Sequence, residues 1–255
     1  MKPKQPVATF LLAVATVLVM SFSLPVAAAS FAGQNLDLAG SATVLANGDL
    51  QLTNDYWQKG AAWLPSSLST ANSFSFTFSF SLQSLQASPM ADGVALVLQN
   101  QGTGWDAVGK VGGNIGYTGL NAVGSVVQTW INNTAGVNTD GNAYDTKPAP
   151  VNLGLAGLVL GVETVSYNAQ SHSLAMNGVL TVDGTSYQVN DSATVNLANQ
   201  FGPNMYLGFT GGTGGSLADQ RITSFGVTST PIPAAVWFVS PVLVGLFGLR
   251  RRVAV

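Results

Sequence analysis

Residues 73–82 read Ser-Phe-Ser-Phe-Thr-Phe-Ser-Phe-Ser-Leu, a strict alternation of hydroxyl-bearing and apolar side chains. Successive side chains of a β-strand point to opposite faces, so Phe74, Phe76, Phe78, Phe80 and Leu82 share one face and the hydroxyls the other. A helix would scatter the same rings around its axis. Burying each ring contributes about 2 kcal/mol by apolar area, which settles the face that turns inward. A strand so one-sided requires a second layer to cover it.

The pattern recurs outward from this stretch. Leu36 and Leu38, then Leu50 and Leu52, alternate with polar residues, and Asn47-Gly48 between Val44–Leu45 and Leu50–Leu52 is a hairpin turn signal. Val94–Leu98, Val126–Trp130, Leu153–Val165, Met205–Phe209 and Arg221–Val227 read as further strands. Asn177-Gly178 and Asp183-Gly184 read as turns flanked by Leu174–Met176, Val179–Val182 and Tyr187–Val189. Thr134–Pro150 reads as a polar loop, and Asn190–Gln200 as a loop or one short helix. Many short strands parted by Gly, Asn and Asp turns predict an all-β fold, an antiparallel β-sandwich of jelly-roll type.

Charge is sparse, at 8% of the 255 residues, and five of the nine cations sit at the ends: Lys2, Lys4, Arg250, Arg251 and Arg252. The four remaining cations face eleven acids, a net charge of −7, which argues against a nucleic-acid partner because phosphate binding needs clustered Lys and Arg. Without Cys there are no disulfides, no thiolate nucleophile and no Cys-based metal site.

Residues 1–29 read as a signal peptide: Lys2 and Lys4, an apolar Val7–Leu24, then Ala27-Ala28-Ala29, with cleavage after Ala28 or Ala29. Residues 30–229 form the expected sandwich. In residues 230–255, Pro231-Ile232-Pro233 precedes an apolar run, Ala234–Leu249, and then three arginines. That run is a hydrophobic helix just long enough to cross a bilayer, with the arginines on the cytoplasmic side.

Polar candidates lie at the ends of the expected strands. Asp92 precedes Val94–Leu98, Gly112 and Gly113 occupy a bare loop, Asn132 ends Val126–Trp130, and Gly211–Gly215 follow Met205–Phe209. A carboxylate, bare backbone and a carboxamide can converge on one shallow polar spot, the composition of a sugar site. Trp105 and Tyr117 beside the glycines are candidates for stacking on a sugar ring or for core packing. His172 lies in a polar turn. Catalysis has little to work with: Glu163 is the lone Glu, no strand carries acids at i, i+2, and no nucleophile elbow or phosphate loop is present.

In this order the pieces resemble the legume-type (L-type) lectins, a concanavalin A-like sandwich: Ala91-Asp92-Gly93, Gly112-Gly113-Asn114-Ile115-Gly116-Tyr117, Ser125–Asn132 and Tyr206–Gly215. The resemblance implies a lectin-like carbohydrate-binding protein, not an enzyme, with Asp92, Gly112, Gly113, Asn132, Gly212, Thr213 and Gly214 at the sugar. It also implies a calcium ion, for which Trp130, Asn132 and Asp140 are the available ligands. The family's metal-binding acids, however, are Val126 and Gln128 here, and its histidine falls near Asn152. Thr230–Trp237 resembles a PEP-CTERM sorting tail without its Glu, which implies an exosortase-type enzyme as partner. Membrane insertion before processing, and an exopolysaccharide-making Gram-negative bacterium as source, follow from the same resemblance. Expected locations are the cell surface, outer membrane or extracellular matrix. The alternative is a structural matrix or surface-coat protein whose lectin scaffold no longer binds.

Overall fold

The computed structural model describes residues 30–86, 89–130 and 132–228. The segments expected to be a signal peptide and a C-terminal hydrophobic helix with a sorting tail lie outside those residues. No helix among the described residues is long and apolar enough to cross a membrane.

In chain order the strands are β1 (Asp37–Gly40), β2 (Thr43–Val44), β3 (Leu50–Thr53), β4 (Lys59–Trp63), β5 (Leu68–Ser69), β6 (Phe74–Ser84) and β7 (Gly93–Gln99). There follow β8 (Ala122–Gln128), β9 (Thr134–Asn138), β10 (Leu158–Asn168), β11 (Ser173–Val182), β12 (Thr185–Thr194), β13 (Asn204–Gly212) and β14 (Ala218–Thr228), with one short helix, α1 (Leu197–Phe201). They form two antiparallel sheets. The front sheet runs β1-β4-β13-β7-β8-β9, with β5 beside β13; the back sheet runs β12-β11-β10-β6-β14-β3-β2.

The alternation of residues 74–82 decides the packing as expected. Phe74, Phe76, Phe78, Phe80 and Leu82 face inward and are buried, while the hydroxyls between them are half-buried on the outer face. They meet Leu96, Leu98, Val127, Leu207 and Phe209 of the front sheet in one core. Phe209 joins the layers, 5.4 Å from Phe78 and 5.4 Å edge-on from Phe225, geometries that aromatic rings favour. One charge-bearing side chain also sits between the sheets. Glu163 of β10 is fully buried and accepts a 2.7 Å hydrogen bond from the Ser125 hydroxyl of β8.

Three local expectations are corrected. Asn177-Gly178 is not a turn: β11 runs straight through it, pairing Asn177 with both Thr164 and Asn190. The glycine there answers close packing, because a Cβ would lie 2.8 Å from Glu163 Cγ. Residues 134–138, expected as loop, form β9 beside β8, and Asp191 of β12 accepts from the Val137 N–H at 2.9 Å. Asn190–Gln200 divides between the end of β12 and α1, whose first turn is capped by the Asn196 side chain accepting from Asn199 N–H.

A second, smaller core covers the outer side of the front sheet. The β7–β8 connection, residues 100–121, brings Ala107, Val108, Ile115 and Tyr117 onto Ala61, Trp63, Ala95, Val97 and Val126. The buried Trp63 indole donates to Ala107 O at 2.8 Å and pins the connection down. That excursion carries the glycine loop to the rim.

Candidate functional site

Asp92 sits at the start of β7, between β13 and β8. Its N–H donates to Gly212 O at 3.0 Å, and its carbonyl accepts from Thr129 N–H at 2.7 Å. The Ala91–Asp92 peptide is cis. Gly93 follows at φ +141°, where a Cβ would collide with the Val127 carbonyl; no other residue fits. The buried Gln220 amide donates to Gly212 O at 2.8 Å and to Ala91 O at 3.2 Å, tying both strands beneath the carboxylate.

Asp92 is 3% exposed, and its buried Oδ2 has no hydrogen-bond partner. Burial pushes its pKa up from 3.8 to about 7, because the charged form has lost water without gaining donors. Bare backbone surrounds it. A Cβ on Gly214 would lie 3.3 Å from Asp92 Oδ2 and 3.3 Å from Gly112 Cα. One on Gly212 would lie 2.7 Å from Ile115 Cα. Glycine at these positions lets the loops after β7 and β13 close over the acid.

The structure therefore brings together Asp92, Gly112, Gly212 and Gly214, with Gly113 adjacent. Gly112 N–H is already donated to Thr213 O at 3.0 Å. Thr213 has another task. Its buried hydroxyl donates to Asp55 O at 2.5 Å and accepts from Gln58 N–H at 3.0 Å, so both roles are spent clamping the β3–β4 turn. Asn132 is exposed, and its amide donates to Tyr144 O at 3.2 Å.

Tyr144 is the link to Asn132, and the sequence reading passed over it. A Cβ on Gly113 would lie 2.5 Å from Tyr144 Oη, so the ring lies on the glycine loop. Partial burial, and then the negative charge of Asp92, raise its phenol pKa. Gln128 was also missed as a site residue. Fully buried, it donates to Gly113 O at 2.6 Å and holds the glycine loop against β8. The visible signals were one aromatic in an Asn/Asp-rich loop and one amide inside an apolar strand.

Both stacking candidates lie elsewhere. Tyr117 is core, its hydroxyl donating to Asn138 Oδ1 at 2.6 Å. Trp105, 83% exposed, lines a separate cleft of about 470 Å³ with Leu38, Lys59 and Asp106. His172 bridges Tyr167 Oη and Asn196 Nδ2, each at 3.2 Å, in the turn expected for it.

No family model matches the chain. A bark agglutinin of Robinia pseudoacacia is 29% identical over 227 residues, 79% of each chain. Among solved structures, arcelin-5 of Phaseolus vulgaris, described as a lectin-like defense protein, superposes with TM-score 0.66 at 20% identity, covering 79% of this chain and 95% of that one. The lectin of Bauhinia forficata in complex with GalNAc superposes with TM-score 0.62 at 24% identity, covering 78% and 95%. The fold is that of the legume lectins.

That fold implies a calcium ion, and the residues here do not fit one. Calcium takes six to eight oxygens, several from carboxylates. Val126 is buried in the second core, and Gln128 presents its amide N–H to Gly113. The Trp130 carbonyl accepts from Asn133 N–H. Asp140 Oδ1 accepts from Asn138 Nδ2 at 2.7 Å and Asn142 N–H at 2.9 Å, and Asn152 Oδ1 caps Gly154 N–H. Among the described residues, no three acids or histidines gather to hold a metal. Only residues 129–133 separate β8 from β9, and Asn133 (φ +48°) closes that turn, its side chain bound to Val151 O and Leu153 N–H.

Proposed function

We propose that this chain is an exported, non-catalytic carbohydrate-binding protein that holds one sugar by hydrogen bonds at Asp92. The observation carrying the proposal is the buried Asp92 carboxylate, its Oδ2 without a donor, enclosed by the bare backbone of Gly112 and Gly214. A buried acceptor left unpaired is costly, and a sugar hydroxyl is a donor able to relieve it. In this reading the Gly113 backbone and the Asn132 amide, linked to the glycine loop through Tyr144, complete the contacts, and the Gly211–Gly215 loop selects the sugar. Entry requires the half-buried Tyr144 ring to swing off Gly113. Buried amides (Gln128 and Gln220) hold the loops, so the site works without calcium.

Galactose and GalNAc are the first probes, because the Bauhinia lectin of the same fold is complexed with GalNAc. On a glycan array the full chain should mark a defined set of sugars, and Asp92→Asn should mark none. A blank array from folded wild-type protein refutes the reading. The proposal extends to export by the signal segment, a membrane-held tail removed by an exosortase-type enzyme, and residence at the cell surface, outer membrane or extracellular matrix. Mass spectrometry of the mature protein tests this: termini near Ala28–Ala29 and before Ala234 support it.

A second reading, a structural matrix or coat protein on a non-binding scaffold, draws on one observation. Asp92 Oδ2 is closed off from water, and neither cleft described among residues 30–228 opens on it. The blank array is its expected result.

A further inference from the structure

The Trp57 side chain belongs to neither core and has no part in the site as proposed above. It stands on the turn between β3 and β4, 67% exposed. Its backbone is left-handed, φ +56°. For a bulky residue that conformation is uncommon and is kept only where the surroundings impose it. Here they do. Trp57 N–H donates to Gly214 O at 3.2 Å, Gln58 O accepts from Thr213 N–H at 2.9 Å, and the Thr213 hydroxyl grips Asp55 O and Gln58 N–H. Gln58 Oε1 in turn accepts from Asn54 and Asp55 N–H at 2.7 and 3.0 Å. A fully knit turn thus presents a large apolar ring to solvent, where burial would be the favourable state.

The ring stands beside the acid. The point where a Gly214 side chain would begin lies 3.3 Å from Asp92 Oδ2 and 3.9 Å from Trp57 Cζ3, and the same point on Gly215 lies 3.9 Å from Trp57 Cζ2. Two glycines separate carboxylate and indole, so once the Tyr144 ring swings off Gly113, as proposed above, no side chain stands between the two. An exposed aromatic face with an acid a few ångströms away suits a pyranose ring, whose C–H face is apolar and whose edge carries hydroxyls.

We infer that Trp57 is a second subsite, a platform on which the next sugar of a longer glycan stacks while the first is held at Asp92. The inference rests on the Asp92 reading and adds to it the ligand's length: an oligosaccharide or polysaccharide chain rather than a free monosaccharide. Thr213 is the positioning residue that fixes the turn carrying the ring.

The test uses the full chain on a printed array of mono- to hexasaccharides, with Trp57→Asn, Trp57→Phe and Asp92→Asn alongside. Asn tolerates the left-handed backbone, so Trp57→Asn removes the ring without straining the turn. Wild-type protein should bind di- and longer glycans more tightly than the matching monosaccharide. Trp57→Asn should erase that excess, a loss of about two- to tenfold for stacking of the strength of aromatic pairs, and leave monosaccharide binding unchanged. Trp57→Phe should restore most of it, and Asp92→Asn should abolish both. Equal binding of long glycans by Trp57→Asn and wild type, with Asp92→Asn blank, overturns the platform and leaves the Asp92 site standing. Binding lost in Trp57→Asn but retained in Asp92→Asn overturns the Asp92 reading and the two-subsite arrangement with it.

Discussion

Glu163 makes the stability of the sandwich depend on pH in a direction opposite to that of most acids. It lies between the two sheets, with Ser125 donating to Oε2 and nothing to Oε1. Loss of hydration, only partly offset by the Ser125 hydrogen bond, raises its pKa from 4.5 to about 7. Folded protein thus keeps a proton that the unfolded chain gives up near 4.5. Between pH 4.5 and 7 the native state binds more protons, so stability falls as pH rises and levels off above 7. At 1.36 kcal/mol per pH unit the loss attributable to this residue is about 3 kcal/mol, against a total of about 5–15 for a typical domain. For a domain of this size that corresponds to a Tm lower by roughly 6–12 °C. Glu163→Gln keeps an acceptor for Ser125 and removes the titration. Its stability relative to wild type should therefore rise by about 3 kcal/mol from pH 4.5 to pH 7.5, measured by urea denaturation across that range. Parallel pH profiles for the two proteins would refute the argument.

Glycan capture should be unchanged by excess EDTA, checked on the same array with and without chelator; loss of signal would place a metal at the site after all. Gln128→Ala should release the Gly113 carbonyl, costing about 1–2 kcal/mol of stability, and should weaken glycan binding more than that small loss would suggest. Thermal melts and array binding measured together separate the two effects. Gly93→Ala forces a methyl into the Val127 carbonyl at a backbone angle that alanine resists, so it should destabilise by several kcal/mol, seen as insoluble expression or a Tm far below wild type.

Much of the fold was legible because its strands are one-sided. The alternation at 73–82 dictates a face, and Asp183-Gly184 turns as its residue types require, both at positive φ. Asn177-Gly178 carries the same signal and does not turn, because ten paired positions on each side of β11 outweigh a local preference for left-handed backbone. β9 was hidden for a related reason: Thr-Ala-Gly-Val-Asn has little strand character alone, and partners on β8 and β12 supply it. At the site, Asp92 and the glycines could be read as punctuation at strand ends. Thr213 misled because its type suits a ligand contact and only the fold reveals that its hydroxyl is occupied. Gln128, Tyr144 and Trp57 could not be placed, since each matters through a neighbour 15 to 157 positions distant in the chain.

The Trp63-pinned cluster on the outer side of the front sheet divides labour within the molecule. Loops that meet a ligand are usually free to vary only at the expense of the layers beneath them. Here the excursion from Asn100 to Asn121 is anchored by its own apolar residues, independent of the phenylalanine layer. Substitutions within that excursion can thus reshape its part of the rim while the phenylalanine layer stays intact.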